Sequence, residues 1–198
     1  MKRVFLAFCL LAVAAPATAQ STGLGSIKQI AIDSDVAQPD IPLIQSPGNF
    51  KAFLIGGGVG AAVDQTSAGK AFREYMRKNN IDVSKIVFES FKRAIEEDKT
   101  LALAAEADAK LKLAINSYGF GAAGFFGGNE RKPLLNVTAS IVSNGNVVWK
   151  KTEYITNLSK LTDAYTYDQL GEKPELTVKS LEQISLLVSR QILAGLKQ

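Results

Sequence analysis

The fold of this chain is decided by two segments: Asp-Ala-Lys-Leu-Lys-Leu-Ala-Ile-Asn-Ser-Tyr from Asp108 to Tyr118, and Pro-Leu-Leu-Asn-Val-Thr-Ala-Ser-Ile-Val-Ser-Asn-Gly-Asn-Val-Val-Trp-Lys-Lys-Thr-Glu-Tyr-Ile from Pro133 to Ile155. In both segments apolar residues recur at every second position. These positions are Leu111, Leu113, Ile115, Leu135, Val137, Ala139 and Ile141. A period of two indicates half-buried β-strands, because successive side chains of a strand point to opposite faces of the sheet.

The pair Asn144-Gly145 predicts a tight hairpin, because a type I′ turn needs positive φ at both central residues. Short strands are expected at 27–32 and 101–103. Helical patterns run from Thr66 or Ser67 to about Lys78, from the Asp82 cap to about Asp98, and from Pro174 to about Leu196. We therefore expect an α+β fold. Its antiparallel meander sheet has about four to five strands, with two helices before it and one long C-terminal helix packed on one face.

The length of the turn decides which face of the sheet carries Trp149. With a two-residue turn, Ser143 pairs with Asn146. Ser140 then pairs with Trp149, which places the indole on the face opposite Leu135. A three-residue turn reverses this and buries the indole. If helices cover only one face, the first register makes Trp149 part of an uncovered surface that suits a partner.

Residues 1–19 predict a secretory signal peptide. A basic pair, Lys2-Arg3, precedes an apolar run that is too short to span a bilayer, and cleavage is expected between Ala19 and Gln20. Residues 20–198 then form a single α+β domain with a disordered lead at 20–26. Cys9 lies within the apolar run, away from a lipobox, so the sequence predicts a periplasmic or secreted protein without a lipid anchor.

Composition excludes several classes of chemistry. The chain has no histidine, and its one cysteine, Cys9, leaves with the signal peptide. Imidazole catalysis, thiol catalysis and thiolate metal sites are therefore absent. The signal takes two of the 23 Lys and Arg and none of the 19 Asp and Glu, which leaves +2. That balance predicts no nucleic-acid partner. The acidic run at 96–98 lacks calcium-loop spacing, and we expect no metal or other cofactor.

Two motifs resemble those of known binding or catalytic sites, but each lacks the neighbouring elements that such a site needs. The run from Gly119 to Gly124 matches the dinucleotide pattern G-x-G-x-x-G, but another strand follows where a helix is needed. Ser67 and Lys70 have the S-x-x-K spacing of serine–lysine acyl enzymes, whose further elements are missing. An N-cap serine beside a solvated lysine explains the same residues. We expect no enzyme; a serine–lysine hydrolase is the remote alternative.

Several candidate contact residues remain. The apolar glycine-rich segments 53–63 and 120–126 either fold over the core or form an exposed patch for a partner or a bilayer. The candidates for partner binding are Phe120, Phe125, Phe126, Trp149 and Tyr154. Lys70, Arg73 and Arg77 share one helical face, which is either simply solvated or a weak contact for an anionic lipid or glycan.

Three stretches carry a resemblance: a Leu-Ala-Leu strand at 101–103, Glu106-Ala107-Asp108-Ala109 leading to Asn116-Ser117-Tyr118-Gly119, and Asn144 to Trp149 before the last helix. The chain resembles the small α/β module of bacterial envelope proteins. That group includes the N-terminal domain of the Tol translocation protein, the lipoprotein activators of peptidoglycan synthases and the curli-secretion lipoproteins. The resemblance implies a non-enzymatic accessory that binds other envelope proteins, and it transfers no functional residue.

The predicted function is therefore that of a secreted or periplasmic accessory protein acting by protein–protein contact in the cell envelope. Self-association and peripheral membrane contact stay open. A rival is a periplasmic carrier of a small apolar ligand or lipid, lined by Phe120, Phe125 and Phe126. An enclosed apolar cavity beside these residues would favour the carrier, and a flat exposed patch would favour the partner.

Overall fold

The computed structural model describes residues 27–44, 65–99, 101–123 and 129–197. The predicted signal peptide with its cleavage site at Ala19 and Gln20, the lead at 20–26, the glycine-rich segment 53–63, Phe125 and Phe126 lie outside these ranges. Seven strands are described: β1 (Gln29–Ile32), β2 (Leu43–Ile44), β3 (Ala102–Leu103), β4 (Ala109–Ala122), β5 (Glu130–Ser143), β6 (Asn146–Ile155) and β7 (Tyr165–Thr166). The helices are α1 (Gln65–Lys78), α2 (Val83–Asp98), α3 (Tyr167–Glu172) and α4 (Pro174–Ala194), followed by a 3-10 turn at Gly195–Lys197.

The meander of β4, β5 and β6 is antiparallel, and its hairpin turn is confirmed. Asn144 has φ 50° and Gly145 φ 77°, so both central residues have the positive φ of a type I′ turn. Ser143 pairs with Asn146 across it. Of the two turn lengths that the sequence left open, the structure therefore has the two-residue turn.

The sheet as a whole is mixed, so the prediction of an antiparallel meander is correct only for its centre. The strand order is β3-β1-β4-β5-β6; β2 also pairs with β4, and β7 with β5. β1 pairs in parallel with β3 and β4, and β2 in parallel with β4. Strands of two to four residues contain too few positions for an alternating pattern to reveal their direction.

The glycine-rich run begins as a strand rather than as a loop, which corrects the prediction for residues 119–122. β4 continues through Gly119, Phe120 and Gly121. A β-bulge at Asn116 makes this continuation possible: Ile115 pairs with Val137, but Ser117 pairs with Asn136. The extra residue shifts the alternation by one. Buried side chains therefore occupy odd-numbered positions before the bulge and the even-numbered positions Tyr118 and Phe120 after it.

The predicted helices are present, and they build a core on one face of the sheet. Asp82 caps α2 by accepting a hydrogen bond from the Lys85 amide at 3.1 Å. α4 packs against α2 and against β5 and β6. Its buried stripe includes Leu181, Ile184, Val188 and Ile192. α3 lies in a segment that was predicted to be a loop, and it begins with a capping box between Thr166 and Gln169.

Candidate functional site

The meander has one face that the helices do not cover, and we call it the open face. Its members alternate with the core residues and lie on the same side of three neighbouring strands. They are Lys110, Lys112, Ala114 and Asn116 of β4, Asn136, Thr138, Ser140 and Val142 of β5, and Val147, Lys150, Thr152 and Tyr154 of β6. The members in β4 and β6, apart from the half-buried Ala114, are exposed.

Hydrogen bonds between side chains fix the middle of the open face. The side-chain amide of Asn116 donates to the side-chain oxygen of Asn136 at 2.9 Å and to the Thr138 hydroxyl at 2.8 Å. Thr138 and Thr152 share a hydrogen bond of 2.8 Å between their hydroxyls. A polar ladder therefore crosses all three strands, and its side chains are already ordered before any partner arrives.

The open face is basic. Lys112 pairs with Ser140, and Ser140 pairs with Lys150. The two lysines therefore stand about 10 Å apart across the sheet, twice the spacing of neighbouring strands. β4 contains no carboxylate, while Glu153 of β6 is opposite Val137 on the helix-covered face. Glu130 lies at the far end of β5, where it pairs with Thr166.

Trp149 lies on the helix-covered face, although the turn has two residues. Val142 pairs with Val147, but Ile141 pairs with Trp149, so Val148 is an extra, bulged residue in β6. Ser140 consequently faces Lys150 rather than Trp149. The indole is half-buried and packs against the core. Trp149 thus does not belong to the open face. Its predicted role in partner binding assumed a two-residue turn without a bulge, and the structure corrects that register.

Tyr154 does belong to the open face. It pairs with Asn136 at one end of the polar ladder, and 43% of its surface is exposed. At the opposite end Val147 is 62% exposed. Apolar contact area therefore flanks the lysines and the ladder on both sides.

Phe120, predicted as a contact residue, is a core residue. It has no exposed surface, and its ring meets that of Phe72 edge-on with centroids 5.6 Å apart. The sequence placed it in a loop that would either fold over the core or form an exposed patch, and its predicted contact role needed the exposed patch. The strand and the bulge before it place the ring under the helices instead. Phe125 and Phe126, its proposed neighbours, lie outside the described residues.

The predicted basic stripe on α1 is exposed at all three positions, Lys70, Arg73 and Arg77. Arg77 forms an ion pair of 3.0 Å with Glu74, and Arg73 donates to the Asp40 carbonyl at 3.0 Å. These contacts hold two of the three cations to the chain itself. Their use as an anion site stays a prediction.

Two clefts lie elsewhere. One is lined by residues 27–29, 106–109 and 143–144, and the other by residues 38–40, 76, 77 and 81–83 together with Arg73 and Tyr118. Burial raises the pKa of the Tyr118 hydroxyl, and the nearby Arg73 opposes this. Ser67, Lys70 and Phe120 line neither cleft, so neither one has the lining that the hydrolase or the carrier hypothesis needs.

The described residues hold no group of three or more His, Cys, Asp or Glu side chains that could bind a metal ion. Within the same ranges, no helix has both the length and the apolar character needed to cross a membrane.

Sequence reasoning missed one exposed feature. Residues 156–173 were expected to be a polar loop, yet Leu158 is 44% exposed and Leu161 63% exposed. The sequence did contain an indication of this feature. Two leucines lie three positions apart with Lys160 between them, in a stretch where apolar and polar residues do not alternate.

Comparison with known proteins gives distant likenesses. No protein-family model and no curated protein matches the chain. A solved Xanthomonas campestris protein of family DUF330 is 15% identical, with a TM-score of 0.47, over 83% of this chain and 81% of that one. A putative lipoprotein from Caulobacter crescentus is 17% identical (TM-score 0.42; 58% and 80% covered). A minor lipoprotein from Acinetobacter baumannii is 12% identical (TM-score 0.38; 85% and 94% covered). Such low scores carry no argument about function.

Proposed function

We propose that this chain is a non-enzymatic accessory protein of the bacterial cell envelope that binds another envelope protein through the open face. The observation that carries the proposal is the make-up of that face. It combines exposed lysines, a hydrogen-bonded polar ladder and the exposed side chains of Tyr154 and Val147 on three adjacent strands.

The face is suited to protein contact for two physical reasons. Its central side chains hold one another in place, so a partner would lose little side-chain entropy by meeting them. Tyr154 offers a rigid ring with a polar end, the kind of side chain that is enriched at protein interfaces. Because Lys112 and Lys150 have no carboxylate between them, the matching surface on the partner should be acidic.

The envelope location rests on the predicted signal peptide and on the resemblance to envelope modules. The absence of an activity is proposed because the chain has no histidine and its one cysteine lies in the predicted signal. Neither cleft described above is lined by the serine–lysine pair, which supports the same view.

Site-specific crosslinking in intact cells tests the proposal. A photoreactive residue at Thr152, in the centre of the open face, should give a discrete adduct with one envelope protein. The same residue at Glu182, exposed on α4, is the control and should not give that adduct. An adduct of equal yield from both positions, or none from Thr152, would contradict the proposal.

Charge reversal tests the acidic partner separately. Lys112→Glu combined with Lys150→Glu should remove the Thr152 adduct. The matched pair Lys85→Glu and Lys92→Glu, exposed on α2, should leave it unchanged. If the adduct survives reversal on the open face, the partner surface is not acidic, although the contact itself stands.

A further inference from the structure

The loop between β6 and β7 exposes two leucines. This segment, residues 156–163, leaves the edge of the sheet after Ile155 and returns at Tyr165 to pair with the start of β5. Leu158 is 44% exposed and Leu161 63% exposed. We call residues 156–163 the leucine loop.

Local hydrogen bonds give the leucine loop a defined shape. The Ser159 amide donates to the Thr156 carbonyl at 3.0 Å, and the Leu158 amide donates to the Thr156 hydroxyl at 3.3 Å. The Leu161 amide donates to the Ser159 hydroxyl at 3.2 Å. These are turns in which hydroxyls replace backbone partners, so both leucines are presented by an ordered backbone.

The base of the loop is tied to the domain. Asn157 is buried and donates from its side-chain amide to the Ala122 carbonyl at 2.6 Å. Lys132 donates to the Ser159 carbonyl at 2.8 Å. Asp163 forms an ion pair of 3.0 Å with Lys179 and accepts a hydrogen bond from Gln183 at 3.0 Å. The loop is thus supported at both ends while its leucines remain outside.

Lys160 carries the only charge among residues 154–162. Lys160 is exposed between them, and residues 154–162 contain no carboxylate. The first acid that follows, Asp163, is engaged by Lys179. An anionic surface would therefore meet a cation and two apolar side chains, with no opposing free acid in this stretch.

From this arrangement we infer that the leucine loop binds the surface of a membrane that contains anionic phospholipid. Leu158 and Leu161 enter the boundary between headgroups and acyl chains, and Lys160 contacts phosphate. The two leucines expose far less area than the roughly 800 Å² per partner that a specific protein interface buries. A bilayer interface needs no shape match, and it accepts apolar side chains next to lysines.

This site differs from the open face and does not depend on a protein partner. Two leucines and one lysine give weak, reversible binding, since even a single myristoyl chain is a marginal anchor. The loop would therefore set the orientation of the protein at the membrane rather than fix it there.

Vesicle flotation tests the inference. Protein exported by cells is purified, and mass measurement ensures that every variant has the same N-terminus. It is mixed with vesicles of phosphatidylethanolamine and phosphatidylglycerol, or of phosphatidylcholine alone. Wild type should bind the anionic vesicles. Leu158→Ser with Leu161→Ser should lower the partition coefficient by more than about tenfold. Lys160→Ala should lower it about fivefold on anionic vesicles only.

Val147→Ser is the matched control, because Val147 is as exposed as Leu161 but lies on the open face. It should bind vesicles like the wild type. The inference is overturned if wild type does not float with the anionic vesicles, if the double leucine variant binds as well as wild type, or if Val147→Ser loses binding equally. The substituted side chains are exposed, and an unchanged thermal midpoint confirms that each variant is folded.

Discussion

Replacing Phe120 with alanine should destabilise the fold rather than weaken a contact. The Phe120 ring has no exposed surface and meets the Phe72 ring edge-on at 5.6 Å between centroids. Removing a buried phenylalanine side chain costs about 3–5 kcal/mol, because burial of apolar area is lost and a cavity remains. With a urea dependence of about 2–3 kcal/mol per molar, the unfolding midpoint should fall by about 1–2.5 M.

The assay is equilibrium urea unfolding followed by circular dichroism, with Val147→Ala as the control. Val147 is 62% exposed, so its truncation should change the free energy of unfolding by no more than about 0.5 kcal/mol. A double-mutant cycle with Phe72→Leu and Phe120→Leu should show a coupling of about 0.5–1.5 kcal/mol from the edge-on rings. If Phe120→Ala shifts the midpoint no more than Val147→Ala does, Phe120 is not part of the core and the reasoning fails.

Two further predictions concern the backbone of β4 and the buried tyrosines. Gly119 has φ 152°, and a Cβ added there would overlap the Leu43 carbonyl oxygen. Gly119→Ala should therefore separate β2 from β4 and cost about 2–3 kcal/mol or more in urea unfolding. A Cβ added at Gly145 would meet no atom within 4 Å. Gly145→Ala should therefore cost only about 1–2 kcal/mol, which is the penalty for a side chain at positive φ. Burial raises the pKa of three hydroxyls, those of Tyr75, Tyr118 and Tyr167. Because the folded state favours the neutral phenol, the contribution of these three tyrosines to stability should be constant below about pH 10 and should be lost as the pH rises beyond it. Urea midpoints across this range check the decline, and Tyr118→Phe should make it shallower; a stability that rises with pH there would contradict the assignment.

The sequence was sufficient for the long elements. The alternation in β4 and β5 and the Asn144-Gly145 turn predicted the meander, and the cap at Asp82 predicted the start of α2. Each of these rests on a local rule with a clear residue signature. The parallel strands β1, β2 and β3 were not predicted as parallel, since their direction is set by tertiary pairing rather than by their own residues.

The candidate site was predicted only in part, and the reason is the two bulges. Counting along β6 from the turn placed Trp149 opposite Ser140, and the extra residue Val148 placed it opposite Ile141. Counting through the glycines of β4 suggested a loop, whereas the bulge at Asn116 lets the strand continue with Phe120 in the core. No residue type marks a bulge of this kind, so period-two reasoning fails beyond it.

Because of the bulge at Val148, the face that each later side chain of β6 occupies depends on whether the number of residues between the turn and Trp149 is odd or even. Removing that one residue, or adding one beside it, would exchange the inner and outer sets of side chains from Trp149 to Ile155. Lys150, Thr152 and Tyr154 would then turn toward the helices, while the indole would turn toward water. Changes of two residues would preserve the arrangement. Any insertion of a tag or a probe into this hairpin should therefore be made in pairs.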